Sequence, residues 1–277
     1  MFNPFFWMFK QEKIKRHFIY LFSIYFIFIA LAVFLVVLSK IFFTESVLQF
    51  FIWALALVLF VCPFLCFQGY FWNLTENIIN RDVDVSSSTI FNGKIKEIYK
   101  IELPEIRTGK FIWRGIASIV ASILLFYPFI VLFTITFFTT GNYETFYNFD
   151  SASTLMLYLF LFAFLGLFIP ALLWNYAKKD SIFAVWNLPK AIHIIGSYFG
   201  KYIWNTVLFL IFVFANHCIT LFLIQMLGLN SFELIINFEP VTIIKSLIFL
   251  IIQYLLGIYW IFVNAYLLGT IAPPSEA

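Results

Sequence analysis

The sequence predicts an all-α integral membrane protein: a bundle of about six transmembrane helices with amphipathic helices at the cytoplasmic interface. Three observations predict this class. Of the 277 residues, 63% are apolar and only 11% are charged, whereas soluble domains average about 45–50% and about 25%. Apolar stretches long enough to cross a bilayer recur six times. Fifteen of the seventeen Lys and Arg residues fall on one side of the resulting topology.

Each predicted span has the roughly 20 apolar residues that a bilayer core about 30 Å thick requires. A helix also satisfies its own backbone hydrogen bonds, which is the condition for crossing lipid. The apolar run of the first span exceeds the roughly 7–15 residues of a signal-peptide core, so we expect an uncleaved helix. The predicted spans cover residues 18–38, 47–72, 112–138, 155–176, 203–226 and 246–268.

The Lys and Arg residues give the orientation. They lie before the first span and around the second-to-third and fourth-to-fifth connections, and only Lys40 and Lys245 lie on the opposite side. The positive-inside rule therefore places both termini in the cytoplasm, and we expect a multi-pass protein of the cell membrane, the bacterial inner membrane. An odd number of spans would destroy this bias. The net charge of +3 is too small for a nucleic-acid partner.

Two cytoplasmic connections stand out, at residues 73–111 and 178–202. In the first, Asn92-Gly93 separates short runs of alternating character, which is typical of a β-hairpin with a type I′ turn. The spacing of Ile95, Ile98 and Tyr99 equally suits a helix face, so 82–101 is predicted as hairpin or helix. The second connection predicts one or two interfacial helices, interrupted near Pro189.

Four basic side chains of the fourth-to-fifth connection are predicted to face anionic lipid, because juxtamembrane cations are attracted to that leaflet. We call them the lysine quartet: Lys178, Lys179, Lys190 and Lys201. Membrane lipids are therefore expected partners. The same basic face could also receive a protein partner.

His217 is the one ionisable side chain near the middle of a predicted span, with Asn216 before it and Thr220 one turn later. Intramembrane polar groups usually face the bundle interior or a water-filled cavity. Two interpretations follow: a neutral, hydrogen-bonded group holding helices together, or a midplane site for a solute or proton. No Asp or Glu falls within the predicted spans, which argues against carboxylate-driven coupling.

Three spans contain proline, and one carries a strip of small residues. Each proline removes a helical hydrogen bond and favours a kink, although neighbouring helices often resatisfy the freed carbonyls. Kinks are predicted at Pro63, Pro128 and Pro170, and close helix packing at Gly115, Ser118 and Ser122.

Signatures of enzymes are missing from the sequence. It contains no H-E-x-x-H, G-x-S-x-G, P-loop or Gly-rich dinucleotide motif, each of which marks a known chemistry. We therefore predict no catalytic, cofactor-binding or metal-binding residues. Cys62, Cys66 and Cys218 are interpreted as small buried apolar residues.

A set of short motifs is spread along the chain. These are Gly69-Tyr70, 77–81, Leu103-Pro104-Glu105, Gly109, Trp113-Arg114-Gly115, Tyr127-Pro128, Ile169-Pro170-Ala171, Asn175-Tyr176-Ala177 and Phe183. Together they resemble the membrane family known as domain of unknown function 4013. The resemblance implies a bacterial or archaeal polytopic membrane protein and no particular reaction.

Two functions of different classes remain open. The first is a non-enzymatic scaffold or accessory subunit that works through its basic cytoplasmic face. The alternative is a transporter or channel for a small solute, using kinked helices around the midplane His217.

Overall fold

The computed structural model describes residues 13–42, 47–91, 94–100, 102–140, 167–179, 181–228 and 240–272. Within these ranges the chain is helical apart from one β-hairpin and short turns. The helices are α1 (Ile14–Phe42), α2 (Val47–Ile79), α3 (Thr108–Thr140), α4 (167–179), α5 (Leu188–Ser197), α6 (Phe199–Leu227) and α7 (Pro240–Gly269).

Several helices are long and apolar enough to cross a membrane, in agreement with the predicted fold class. The five found among the described residues are Ile14–Ser39, Val47–Ile79, Thr108–Tyr127, Phe199–Leu227 and Ile248–Gly269. Residues 155–166 of the predicted fourth span, 155–176, lie outside the described residues. Its remaining residues, 167–176, lie in α4. The total of six spans therefore stays a prediction.

Helix α2 continues to Ile79 rather than ending near Trp72, because its polar residues bond to their own helix. The Asn73 side chain donates to the carbonyl of Gly69 at 2.7 Å, and the Thr75 hydroxyl donates to Phe71 at 2.8 Å. This extension brings Glu76 into the helix. The expectation that no span contains an acidic residue is therefore wrong for α2.

The sequence left open whether the segment after α2 forms a hairpin or a helix, and the structure shows a hairpin. Strand β1 (Asp82–Phe91) pairs antiparallel with β2 (Lys94–Lys100). Asp82 lies opposite Lys100 and Phe91 opposite Lys94, with an irregularity between Asp84 and Thr89. The Asn92-Gly93 turn itself lies outside the described residues.

The connection at 178–202 contains two short helices, a 3₁₀ turn at Ile182–Trp186 followed by α5. Pro189 lies in the first turn of α5 and so opens that helix, a position where its missing N–H costs nothing. The Asn187 side chain caps α5 by accepting from the backbone N–H of Lys190 at 3.2 Å. Placement of these helices at the membrane interface stays a prediction.

Burial is concentrated toward one end of the bundle. Along α2 the exposed positions dominate the first half, where Phe50 and Phe51 are exposed, whereas 72–75 and 78–79 are all buried. Buried residues of α1, α2, α3 and α7 form one cluster there. Buried residues of α2, α3, α4, the 3₁₀ turn, α5 and α6, with residues 271–272 just after α7, form a second. In the opposite half, many of the large apolar side chains are exposed on the surface of the described bundle.

Helices α2 and α3 approach each other closely at two glycines. A Cβ on Gly69 would lie 1.8 Å from the carbonyl oxygen of Phe111, and one on Gly115 would lie 2.1 Å from that of Leu65. Both distances are far below van der Waals contact, so only glycine fits at these positions. The predicted close packing at Gly115 is confirmed.

Candidate functional site

Arg114 joins three helices at the well-packed end of the bundle. Its guanidinium donates to the side-chain oxygen of Asn73 at 3.0 Å, to the carboxylate of Glu76 and to the carbonyl of Ala177 at 3.1 Å. Arg114 is 3% exposed and Glu76 is 28% exposed. The planar fork of an arginine can meet several fixed acceptors at once, so this side chain ties α3 to α2 and α4.

The local sequence prepares this contact. Because the Asn73 amide donates to Gly69, its oxygen is turned away from its own helix and is free to accept from Arg114. The glycine contacts between α2 and α3 bring the two helices close enough for that bond. Burying an arginine is costly unless its charge is paired and hydrogen-bonded, and these acceptors take bonds from both terminal nitrogens of the guanidinium.

Arg81 makes a second cross-link, between the C-terminal ends of α2 and α7. Its guanidinium donates to the carbonyl of Ile78 at 2.6 Å and to that of Gly269 at 3.1 Å. Carbonyls in the last turn of a helix lack intrahelical partners, and a cation there also opposes the negative end of the helix dipole. Arg81 is itself buried.

Further polar contacts attach α1 and α6 to the same end. The Asn205 amide of α6 donates to the carbonyl of Leu267 at 2.9 Å and to the hydroxyl of Thr270 at 3.2 Å. The hydroxyls of Tyr20 and Thr108 lie 2.8 Å apart, joining α1 to α3. We call this part of the molecule the cross-linked end: the C-terminal ends of α2, α4 and α7 with the N-terminal ends of α1, α3 and α6.

A cavity of about 420 Å³ lies beside the cross-linked end, between α2, α4, α6 and α7. Its volume falls within the roughly 300–1,000 Å³ of small-molecule sites. Its walls are mainly aromatic and aliphatic, with neutral polar side chains and no charged ones. The polar members are Gln68, Trp72, Asn205, Thr206, Trp260 and Asn264.

Three of the cavity residues carry polar atoms without a hydrogen-bond partner in the described part of the chain. These are the amide oxygen of Asn264, the indole N–H of Trp72 and the hydroxyl of Thr206. Asn264 is 3% exposed and Trp72 is 5% exposed. An unsatisfied buried polar group costs about 1–3 kcal/mol, so each requires an explanation.

The residues predicted for a midplane site are not gathered around this cavity. His217 lies on the exposed side of α6, and Asn216 is half-buried beside it. Thr220 contacts α7, where the amide of Gln253 donates to its hydroxyl at 2.9 Å. Near His217, a polar link between α6 and α7 is therefore made by Thr220 with Gln253, and of this pair the sequence analysis singled out only Thr220.

The three prolines differ in their positions. Pro63 is buried inside α2, and Pro170 lines the cavity. The side chain of Pro128 lies outside the described part, although α3 runs through its position. Among the cysteines, Cys66 is buried and Cys62 half-buried, but Cys218 is exposed on α6, so the expectation of burial is wrong for Cys218.

The lysine quartet flanks the connection from α4 to α6. The ammonium of Lys178 lies 5.3 Å from the ring centroid of Trp174, within the range of a cation–π contact. Lys179 and Lys201 are exposed, and Lys190 is half-buried. Within the described residues, no three His, Cys, Asp or Glu side chains are grouped as metal ligands would be.

Comparisons with known proteins add no relative. No family model matches the chain, no curated protein matches it, and no solved structure matches it. The resemblance to domain of unknown function 4013 therefore stays a prediction.

Proposed function

We propose that the chain is a non-enzymatic scaffold or accessory subunit of the cell membrane, which presents the cross-linked end to a protein partner. One observation carries the proposal: side-chain hydrogen bonds join every apolar helix of the described bundle at this one end. Arg114, Arg81 and Asn205 make bonds between helices that are distant in sequence. Such bonds fix a surface in one shape, which lowers the ordering cost of binding a partner.

The chemistry of the cross-linked end also favours a structural role. An arginine does not lose its proton in a protein, and Arg114 gives its donors to Asn73, Glu76 and Ala177. Arg81 gives donors to helix-end carbonyls. Side chains whose donors are bonded to acceptors at helix ends serve to hold the helices in position rather than to take part in a reaction.

The orientation belongs to the same proposal. The ends of α2 and α4 that meet here adjoin the two connections that carry most of the Lys and Arg residues, so by the positive-inside rule we expect the cross-linked end in the cytoplasm. The partner would carry an acidic surface, complementary to the lysine quartet. We place the protein in the bacterial inner membrane on this basis.

Co-purification in mild detergent tests the proposal. The wild-type chain should retain a partner in a fixed ratio, and retention should fall as salt rises, because surface charges are screened beyond about 10 Å at 0.1 M. Changing the lysine quartet to Gln should release the partner. Changing Lys40 and Lys245 to Gln, on the predicted opposite side, is the matched control and should leave retention unchanged.

Two results would contradict the proposal. One is equal retention in the quartet variant and in the control. The other is solute uptake into liposomes that contain the purified chain alone, which would favour the transporter alternative.

A further inference from the structure

Helix α6 is the least covered of the apolar helices in the described bundle. None of its described side chains from residue 207 to residue 227 is buried. Its contact with α7 uses one side of the helix, where the ring of Phe212 stacks on that of Trp260 with centroids 4.9 Å apart and the amide of Gln253 donates to the hydroxyl of Thr220. The remaining sides of α6 are open to lipid or to another protein.

One of these open sides carries Phe214, His217 and Leu221. Positions three and four residues apart are neighbours on a helix surface, so the three side chains form a continuous strip, which we call the outer strip of α6. Phe214 is 70% exposed and Leu221 is 50% exposed, and His217 is exposed between them. The two apolar side chains suit lipid, but an imidazole does not.

His217 lies far from both ends of α6. At 1.5 Å per residue it is about 27 Å from Phe199 and about 15 Å from Leu227, and half of a hydrocarbon core about 30 Å thick is about 15 Å. Its ring makes no hydrogen bond with the described part of the chain. Polar side chains at such a depth pair with other polar groups, because an unbonded one in apolar surroundings is costly. The imidazole therefore indicates a protein surface against the outer strip.

A second copy of this chain supplies the matching group. A neutral imidazole has one N–H donor and one acceptor nitrogen, so two imidazoles can bond to each other. In a twofold-symmetric dimer the same patch of each copy meets itself, which brings a residue near the axis opposite its own counterpart. No Lys, Arg, Asp or Glu occurs in residues 202–232, so no fixed charges on α6 would repel each other across this axis.

We propose that the outer strip of α6 is the interface of a homodimer in the membrane, in which His217 of one copy bonds to His217 of the second copy. Phe214 and Leu221 of both copies pack around that bond. The dimer does not depend on the scaffold function, because it needs neither the acidic partner nor the lysine quartet. The quartet variant should therefore still dimerise.

Disulfide cross-linking of the purified full-length chain in liposomes tests the interface, in a background whose three native cysteines are changed to Ser. Mild oxidation of Leu221→Cys should give a covalent dimer. Leu223→Cys is the matched control at almost the same depth and should stay monomeric, because Leu223 is half-buried three residues from Thr220, on the side that contacts α7.

A second control measures chance collisions between copies. Leu57 is 64% exposed on α2, away from the proposed interface, so Leu57→Cys should form roughly fivefold less dimer than Leu221→Cys. Dilution with further lipid should widen this difference, because collisions become rarer while a bound dimer persists.

The role of His217 is measured without a cross-link, by energy transfer between labelled copies in liposomes. His217→Leu removes the bond between the copies and should weaken association by roughly threefold. His217→Gln keeps a donor and an acceptor and should associate like the wild type. Both variants should unfold like the wild type in dilute micelles, where the copies are separate, so weaker association cannot be attributed to misfolding.

Three results would overturn the proposal. The first is equal cross-linking of Leu221→Cys and Leu57→Cys at every lipid dilution, and the second is equal association of His217→Leu and the wild type. The third is cross-linking of Leu221→Cys in native membranes to a different protein instead of a second copy, which would assign the outer strip to that protein.

Discussion

Arg114→Ala should be among the most destabilising single changes in the chain. The substitution removes a side chain that is 3% exposed and that binds Asn73, Glu76 and Ala177 at the same time. It leaves the Glu76 carboxylate without its cation in a partly buried place. It also leaves two acceptors, on α2 and α4, without their donor.

The magnitude follows from that geometry. Breaking a buried ion pair by removing one partner costs about 3–5 kcal/mol. The 28% exposure of Glu76 lets water meet part of its charge, so we expect the lower half of that range, about 3–4 kcal/mol. Arg114→Lys should cost about half as much, because a single ammonium can keep the contact with Glu76 but cannot reach all three acceptors.

Reversible unfolding in mixed micelles measures these free energies of unfolding. Arg107→Ala is the matched control, because Arg107 also pairs with a glutamate, Glu105, at 2.8 Å, but with side chains that are 64% and 72% exposed. Exposed pairs contribute about 0–1 kcal/mol. The control should therefore stay within 1 kcal/mol of the wild type.

A double-mutant cycle completes the test. Combining Arg114→Met with Glu76→Gln removes both charges together, so the double variant should be more stable than the sum of the two single changes predicts, by at least about 1 kcal/mol. Additive effects would refute the reasoning. A loss below 1 kcal/mol for Arg114→Ala would refute it as well.

Two smaller predictions concern helix contacts inside the bundle and use the same assay. Gly69→Ala should destabilise the chain by about 3 kcal/mol or more, because the new Cβ would meet a backbone carbonyl at 1.8 Å. Gly109→Ala is the control and should be neutral or slightly stabilising, because a Cβ there meets nothing within 4 Å. Equal effects of the two substitutions would contradict the close packing of α2 and α3. Gln253→Leu should lower the free energy of unfolding by about 0.6 kcal/mol, the average for hydrogen bonds between membrane helices. His217→Leu should change it by no more than about 0.5 kcal/mol, because the side chain is exposed. A larger loss for His217→Leu would support the interpretation that His217 holds helices together.

The spans were predictable because hydropathy depends only on local composition. Each of the five spans found among the described residues overlaps its predicted range, and the differences lie at the helix ends. At the end of α2 the polar residues Asn73 and Thr75 suggested that the helix stops. They instead bond to carbonyls one turn back, so the helix continues through Glu76.

The cross-linked end was not predictable in the same way. Arg114 entered the sequence analysis as one positive charge among many and as part of a short motif, but not as a contact between helices, because its partners Glu76 and Ala177 lie 38 and 63 residues away. A signal was present: Glu76 follows the second apolar run closely, and Arg114 lies just inside the third. Opposite charges at adjacent helix ends are candidates for pairing.

The cavity leaves even less trace in the sequence. It is the space left between four helices, and its polar members Trp72, Asn205 and Asn264 are ordinary residues of three different spans. His217 attracted attention instead because it is titratable and central. Its exposed position on α6 depends on how that helix is rotated, which apolar residues on all sides of α6 do not specify.

Reporter fusions are the most direct test of the central claim, that the cross-linked end is the cytoplasmic face of a protein with six spans. Fusions after Asn92, Lys190 and Ala277 should report a cytoplasmic position, and fusions near Glu144 and Glu233 an external one. The fusion at Ala277 decides most, because it follows the last span. A cytoplasmic report there, together with those at Asn92 and Lys190, is the predicted result, and an external report at Ala277 would contradict both the number of spans and the location of the cross-linked end.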